Sequence, residues 1–423
     1  MKKIIEALNR CESVSGWKIN MHRKHRYELF FVKGKLETVR CTDTCDKLVT
    51  IYTAHGEYLG DSQFYVYPST SGEQLENLIQ AAVAKALLIN NKAYALPGPE
   101  TGDYRVESNF EDYEPHELAA KIATAVFEAN TVENGSLNSV EIFINRHEDT
   151  IVNSRGLHKT QTRYDAMVEA IPTYNGEGQS VELYEQYNFA SLDEDALVRE
   201  IAEQMETVKA RYEAVTPDFE LNCPVVLNTQ ELAELFSSLK WDLHYSNVYS
   251  HSNLYSKGDA IQKNPTGDKI SITMAGQAEG SVRSRAFDGD GMSLSSIRLI
   301  EDGKVLNYFG SNRYGQYLGE NPTGELGCLH LDPGSADAGD FDIPSLEIVS
   351  MSGLQTDTYH DYVGGEIRLA YYHNGGKKLP LTGISFSGKL SQVLSSIRLS
   401  RRTTTRDGYH GPEKAILSHV KIF

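Results

Sequence analysis

Local patterning along the 423 residues changes once, near residue 218, and that change limits the fold more than any other feature. Before it, amphipathic helical stretches alternate with antiparallel hairpins. After it, short alternating runs follow one another between glycine turns and leave little room for helix. A chain of this length also exceeds one ordinary hydrophobic core. The reading is α+β: N-terminal antiparallel sheets covered by helices, followed by a β-rich C-terminal domain. Units are expected at residues 1–105, 106–217 and 218–423.

In the first unit, "YELFFVKGKLETVRC" sets Lys33-Gly34-Lys35 between two apolar runs, a hairpin signal. "KLVTIYTAHGEYLGDSQFYVY" predicts a second hairpin, turning near His55-Gly56. From Ser71, Leu75, Leu78, Ile79, Ala82 and Ala86 fall at helical spacing, a stripe suited to cover one sheet face. "ALPGPETGDY" follows as a linker.

The second unit opens with a helix that has Pro115 in its first turn. "SVEIFINRH" and "TIVNSRGLHKTQTRYDAMVEAIPTY" then read as strands, with turns expected at His147-Glu148-Asp149 and from Asn153 to Gly156. Ser191-x-x-Glu194 reads as a capping box for a helix carrying Leu197, Ile201, Met205, Val208 and Tyr212 on one side. In the third unit "PVVLN" is a strand. Asn228-x-x-Glu231 caps a helix with Leu232, Leu235, Phe236 and Leu239 on one face. Asp302-Gly303 in "SSIRLIEDGKVLNYFG" marks a hairpin with a type I′ turn.

Composition narrows the function classes. A 40% hydrophobic, 23% charged chain is globular. Its formal charge of −17 opposes nucleic-acid binding, which needs clustered Lys and Arg. The one basic island, Met21 to Arg26, reads as a solvated turn ahead of a strand. Five scattered cysteines argue against a disulfide framework, and Cys41-x3-Cys45 reads as a pair of reduced thiols. No run approaches signal-peptide or membrane-span length, so the cytoplasm is expected, with no membrane partner.

No catalytic motif stands out. A helix-borne zinc peptidase needs His-Glu followed by a second His. After His116-Glu117 the places for that His hold Ala120 and Lys121, and after His147-Glu148 they hold Ile151 and Val152. In "SSLKWDLHYSNVYSH", His244 and His251 would lie about 10.5 Å apart on a helix, and on opposite faces of a strand. Zinc ligands bond at about 2 Å, so neither arrangement shares a metal. Cys328-x-His330 points two ligand types to one side of a strand, without an evident third ligand. There is no G-x-S-x-G elbow, and "NGGKK" at Asn374 to Lys378 lacks the spacing of a phosphate loop. No catalytic, cofactor or metal residue is assigned to this chain from its motifs.

One long stretch has a family likeness. "SRAFDGDGMSLSSIRLIEDGKVLNYFGSNRYGQYLGENPTGELG" resembles the central signature of the TldD/PmbA family, also called the modulator of DNA gyrase family. Ser284, Arg285, Phe287, Asp288, Asp290, Gly291, Ile300, Glu301, Gly303 and Thr323-Gly324 carry it. "VNSRGLHKTQTRYDAMVEAI" and the closing "ISFSGKLSQVLSSI" and "GPEKAILSHVKIF" are similar to further family strands. The family's Thr-Gly-Asp-x-Ser-x-Gly-Ala pattern is poorly kept, with Asp357, Gly364 and Gly365 as its remnants, which suggests a divergent branch.

The resemblance implies a division of labour. One member of that family is a zinc peptidase with His-Glu-x-x-x-His on the helix after the strand matching "PVVLN", plus a later cysteine ligand. Its sister subunit lacks the motif and pairs with it. Here the slot reads "LKWDLH", Leu239 to His244, so only His244 could serve as a ligand. The chain therefore resembles the PmbA-type, non-catalytic sister. It is expected to hold no cofactor of its own, with zinc on a TldD-type partner. Its partners would be that peptidase subunit, or a second copy of itself, and an extended or unfolded peptide. A homodimeric hydrolase with a divergent site including His244, Cys328 and His330 is the rival. A protein-binding module acting on gyrase without proteolysis is the third reading.

Overall fold

A computed structural model describes residues 1–423. The N-terminal half is built on one sheet. Its strands are β1 (Gly16–Val32), β2 (Lys35–His55), β3 (Tyr58–Tyr65), β4 (Thr101–Arg105), β5 (Gly135–Asn153) and β6 (His158–Asn175), in the order β3-β2-β1-β5-β6-β4. Short strands β7 (Ser180–Glu182) and β8 (Glu185–Phe189) extend it from β6. The expected units 1–105 and 106–217 are thus joined: β1 pairs with β5 from Lys18↔Asn153 to Val32↔Ser139. Both hairpins form where the glycines predicted, at Lys33-Gly34 and Gly56-Glu57.

One face of this sheet is apolar and carries all four N-terminal helices. α1 (Lys2–Arg10) and α2 (Gly72–Ala86) cover Trp17, Ile19, Val49 and Ile51. α3 (Pro115–Glu128) and α4 (Glu194–Glu213) cover Leu29, Ile142, Ile144 and Val168. A capping box of Ser71 and Gln74 starts α2. The cap of α4 is Asp193, not Ser191: its carboxylate accepts from the Ala196 N–H at 2.9 Å.

The other face is polar, and two expectations fail there. β5 runs straight through His147-Glu148-Asp149 without a turn. Met21 to Arg26 is the middle of β1, not a solvated turn. Both were misread because polar clusters suggest exposure, whereas here neighbouring strands supply partners. His22 lies opposite Asp149, Arg26 opposite Asn145, and His147 opposite Arg163. The turn at Asn153 to Gly156 does form, with Gly156 at φ +90°.

The C-terminal half is β-rich, as expected. β9 (Val225–Asn228) leads into α5 (Thr229–Asp242) and α6 (Tyr245–Tyr249). There follow β10 (Ile272–Ala275), β11 (Ser296–Glu301), β12 (Lys304–Val305), α7 (Asn312–Leu318) and β13 (Cys328–Leu331). A six-stranded sheet runs β12-β11-β10-β13 and continues into strands 409–412 and 403–406. A nine-stranded sheet contains β9 beside the strands at 345–351 and 414–417. The two sheets and α5 enclose a core of 34 buried residues. Asp302 (φ +49°) and Gly303 (φ +77°) make the β11–β12 turn, both left-handed as a type I′ turn requires.

Candidate functional site

α5 forms because Leu232, Leu235, Phe236 and Leu239 recur at helical spacing and are buried against β9. Leu239, at the first position of the suspect slot, is a core residue at 1% exposure. Lys240, at the second, has its ammonium 5.0 Å from the Trp241 ring. Burial and the Arg283 guanidinium push its pKa down, with the Cys328 sulfur opposing. Two core-directed or cationic side chains stand where a ligand and a base would be needed.

The helix stops at Asp242, whose carboxylate turns back to accept the Leu254 and Tyr255 N–H groups at 2.7 and 3.0 Å. His244 is therefore off the helix. It bridges to Phe309 and caps α6. Its Nδ1 accepts from the Ser246 N–H, which puts the proton on Nε2, and Nε2 donates to Glu325 Oε2 at 2.9 Å. The Trp241 and Phe309 rings flank it at 5.3 and 5.1 Å. His251, at φ +57°, lies exposed in the following turn.

Cys328 and His330 do share a strand side on β13, yet they meet different neighbours. Cys328 is fully buried beside the Ser281 hydroxyl (3.6 Å), and burial raises its thiol pKa, so it is a protonated core thiol. His330 packs on His410 with ring centroids 5.2 Å apart, and its Nε2 is buried without a partner. No group of three or more His, Cys, Asp or Glu side chains is placed to hold a metal, so His244, Cys328 and His330 do not form one site. The residues in this slot do not fit zinc.

The loop carrying Ser284 to Ser293 joins the two halves. The Ala286 N–H donates to Gln161 Oε1 at 2.8 Å. Phe287 joins Ile151 and Leu157 in a small apolar cluster. Lys159 on β6, with no exposed surface, donates to the Gly291 carbonyl (2.9 Å) and to Ser293 Oγ (2.6 Å). Gly291 sits at φ +85°, and a Cβ there would come within 2.2 Å of Leu157. Asp288 is half-buried in the loop and accepts three backbone N–H bonds, from Asp290, Met292 and Glu325. Burial, then Asp290, pushes its carboxyl up to about 6.

Residues 220–422 match the family described as the PmbA/TldA metallopeptidase C-terminal domain. That C-terminal stretch, 220–422, is a domain of the PmbA/TldD family. Its fold is similar over its whole length to three solved structures. TldE from Thermococcus kodakarensis aligns at TM-score 0.79 and 16% identity, covering 100% of this chain and 99% of that one. A candidate modulator of a DNA gyrase from Thermotoga maritima aligns at 0.78 and 15%, covering 100% of both. A candidate gyrase modulator from Bacteroides thetaiotaomicron aligns at 0.76 and 13%, covering 100% and 97%. No curated protein matches the chain.

Besides the TldD/PmbA signature, the polar sheet face holds a linked network that motif reading passed over. Asp165 meets His147 Nε2 at 2.7 Å, His147 Nδ1 meets His22 Nε2 at 3.4 Å, and His22 Nδ1 meets Asp149 at 2.5 Å. Both carboxylates can only accept, so each faces an imidazole N–H, and burial pushes the His147 pKa down while Asp165 opposes it. Arg163 spans the same two carboxylates, 3.1 Å from Asp149 and 3.4 Å from Asp165. The available signal was period-two spacing: His22-x-Lys24-x-Arg26, His147-x-Asp149 and Gln161-x-Arg163-x-Asp165.

Proposed function

We propose that this chain is a TldE-like, non-catalytic subunit of a zinc metallopeptidase assembly that processes unfolded or leader peptides in the cytoplasm. The observation that carries the reading is the slot itself. Leu239 is in the core, Lys240 is a cation beside Arg283, and His244 is committed to Ser246 and Glu325. Water activation by zinc needs about three ligands and a base held together. The zinc would belong to a TldD-type partner.

The exposed end of the β1–β2 hairpin supports a role in pairing. β3 covers β2 only from Leu48 to His55, so the outer edge of β2 from Lys35 to Lys47 has no strand beside it. Leu36 and Val39 are about half exposed on that edge (51% and 46%). Such an edge accepts a strand from a partner or an extended peptide.

The test is affinity capture of this chain from its source cells, followed by native mass spectrometry and metal analysis. A co-purifying chain with His-Glu-x-x-x-His that carries the zinc is expected. A homodimer with its own stoichiometric zinc would overturn the reading. So would a metal-free complex with gyrase and no peptidase.

A further inference from the structure

β2 changes character along its length. From Leu48 to His55 it lies between β1 and β3 and carries the buried Val49 and Ile51. From Lys35 to Asp46 only β1 lies beside it. No residue of that stretch joins an apolar cluster, and every one from Lys35 to Thr44 is exposed, whichever sheet face it is on. The groups on its outer edge can be assigned. The Val66 N–H donates to the Lys47 carbonyl at 2.9 Å, so Lys47 turns its backbone away from β1. By strand alternation Cys41, Asp43 and Cys45 do the same, with no strand to receive them. Native sheets shield such an edge with proline, a bulge or a covering segment. Residues 38–46 contain no proline and pair regularly with β1, whose one register shift lies between Phe30 and Phe31.

Of the occupants such an edge can take, its own sequence fits a second copy. Residues directly opposite in an antiparallel pair point to the same sheet face. Two identical edges must therefore meet about a two-fold axis that sets one residue against its own copy. Centred on Arg40, two guanidiniums would meet; centred on Cys41, Val39 would face Asp43. Centred on Thr42, Thr38 would face Asp46 and Cys41 would face Asp43. Centred on Asp43, Arg40 faces Asp46 on both sides of the axis, Cys41 faces Cys45 and Thr42 faces Thr44. A centre at Thr44 would set Arg40 against Leu48, where β3 already lies. The two Asp43 carboxylates at the axis are each neutralised within their own chain. Arg23 donates to both oxygens at 3.0 and 2.7 Å, and His25 lies 3.7 Å away. Asp46 is exposed and makes no ion pair in its own chain. The Arg40 side chain is 56% exposed and spends one N–H on Glu28, which leaves guanidinium donors for a further carboxylate.

We infer that two copies of this chain join through β2, antiparallel and centred on Asp43, into one sheet continuous across both N-terminal halves. The inference rests on the edge alone and holds whether or not the chain works beside a peptidase. A single strand pair is small for a protein interface, which places this dimer in the weak, concentration-dependent class.

Sedimentation velocity of the full chain, under reducing conditions and across a dilution series, should show a dimer that gives way to monomer. Asp43→Pro removes an outward N–H at the axis and leaves the bonds to β1 in place, so it should abolish the dimer while the far-ultraviolet spectrum is kept. Asp46→Lys sets a cation against Arg40 of the second copy and should weaken the dimer several-fold. Thiol cross-linking reads the register. With a short bismaleimide, Cys41→Ser and Cys45→Ser should each give no link at the remaining edge cysteine. A mixture of the two should give one, joining Cys45 of the first variant to Cys41 of the second, as mapped by mass spectrometry. A monomer at every concentration, a dimer that survives Asp43→Pro, or links between like edge cysteines in the single variants would overturn the inference. The first of these would return the edge to an unlike partner or an extended peptide.

Discussion

Asp165 is half-buried, and burial alone would raise its pKa. Hydrogen bonds from His147 and Asn145, with the charges of His147 and Arg163, outweigh that and hold it at about 2. An unfolded aspartate titrates near 3.9. The stabilisation is therefore complete above about pH 4 and is lost as pH falls toward about 2. The urea midpoint should drop through that window, and the drop should be smaller in Asp165→Asn; parallel acid profiles for the two proteins would sink the assignment. Glu231 has the opposite sign. Burial pushes it up to about 7, so its contribution is intact below about pH 4 and lost as pH rises through 7. Glu231→Gln should then flatten the fall in thermal midpoint between pH 5 and pH 8, and an unchanged slope would refute it. None of this was legible in the sequence. Period-two polarity marks a sheet face, but which carboxylate meets which imidazole depends on the register of β1, β5 and β6.

At the scale of the element, α5 shows what a sequence carries and where it stops. Its stripe of Leu232, Leu235, Phe236 and Leu239 was readable and is buried as read. Phe236 has no exposed surface, so Phe236→Ala should cost about 3–5 kcal/mol by chemical denaturation, and a loss below about 1 kcal/mol would contradict the packing. The end of the helix was not readable. It is set by Asp242 reaching Leu254 and Tyr255, a contact twelve and thirteen residues away. That stop removes His244 from the helix, and it gives a sharp expectation for a restored motif. The double variant Leu239→His, Lys240→Glu should still bind no stoichiometric zinc after dialysis, since position 239 faces the core and His244 holds Glu325. One zinc per chain would show that the slot is intact after all. The hairpins were legible because Gly34, Gly56 and Gly303 take left-handed φ values that favour glycine. The supposed turn at His147 was not, since a polar cluster in a buried strand imitates a turn.

For the whole molecule, the α+β class and the β-rich second half follow from patterning, while the joining of the first 217 residues into one sheet does not. β1 and β5 pair at a separation of more than a hundred residues, and no local signal records that. The family signature reads as a motif in sequence, but its physical role in this fold is to clamp the two halves together. Lys159 is the centre of the clamp. Its buried ammonium meets the Gly291 carbonyl, Ser293 Oγ and the Glu100 carboxylate at 2.9, 2.6 and 2.8 Å. Glu100 remains about half exposed, so its loss of a partner is cushioned by water, whereas the buried Gly291 carbonyl is not. Lys159→Met keeps the chain volume and removes the charge. It should cost about 1–3 kcal/mol, the range for hydrogen bonds to a charged group. Because the loop is anchored to β6 on one side and to the C-terminal sheets on the other, the loss should appear first as separation of the halves. Hydrogen exchange in the variant should therefore rise across residues 284–293 and 158–163 before it rises in α5 or in α3. Uniform acceleration through the whole chain would mean instead that the two halves unfold as one unit and that the clamp has no separate mechanical role.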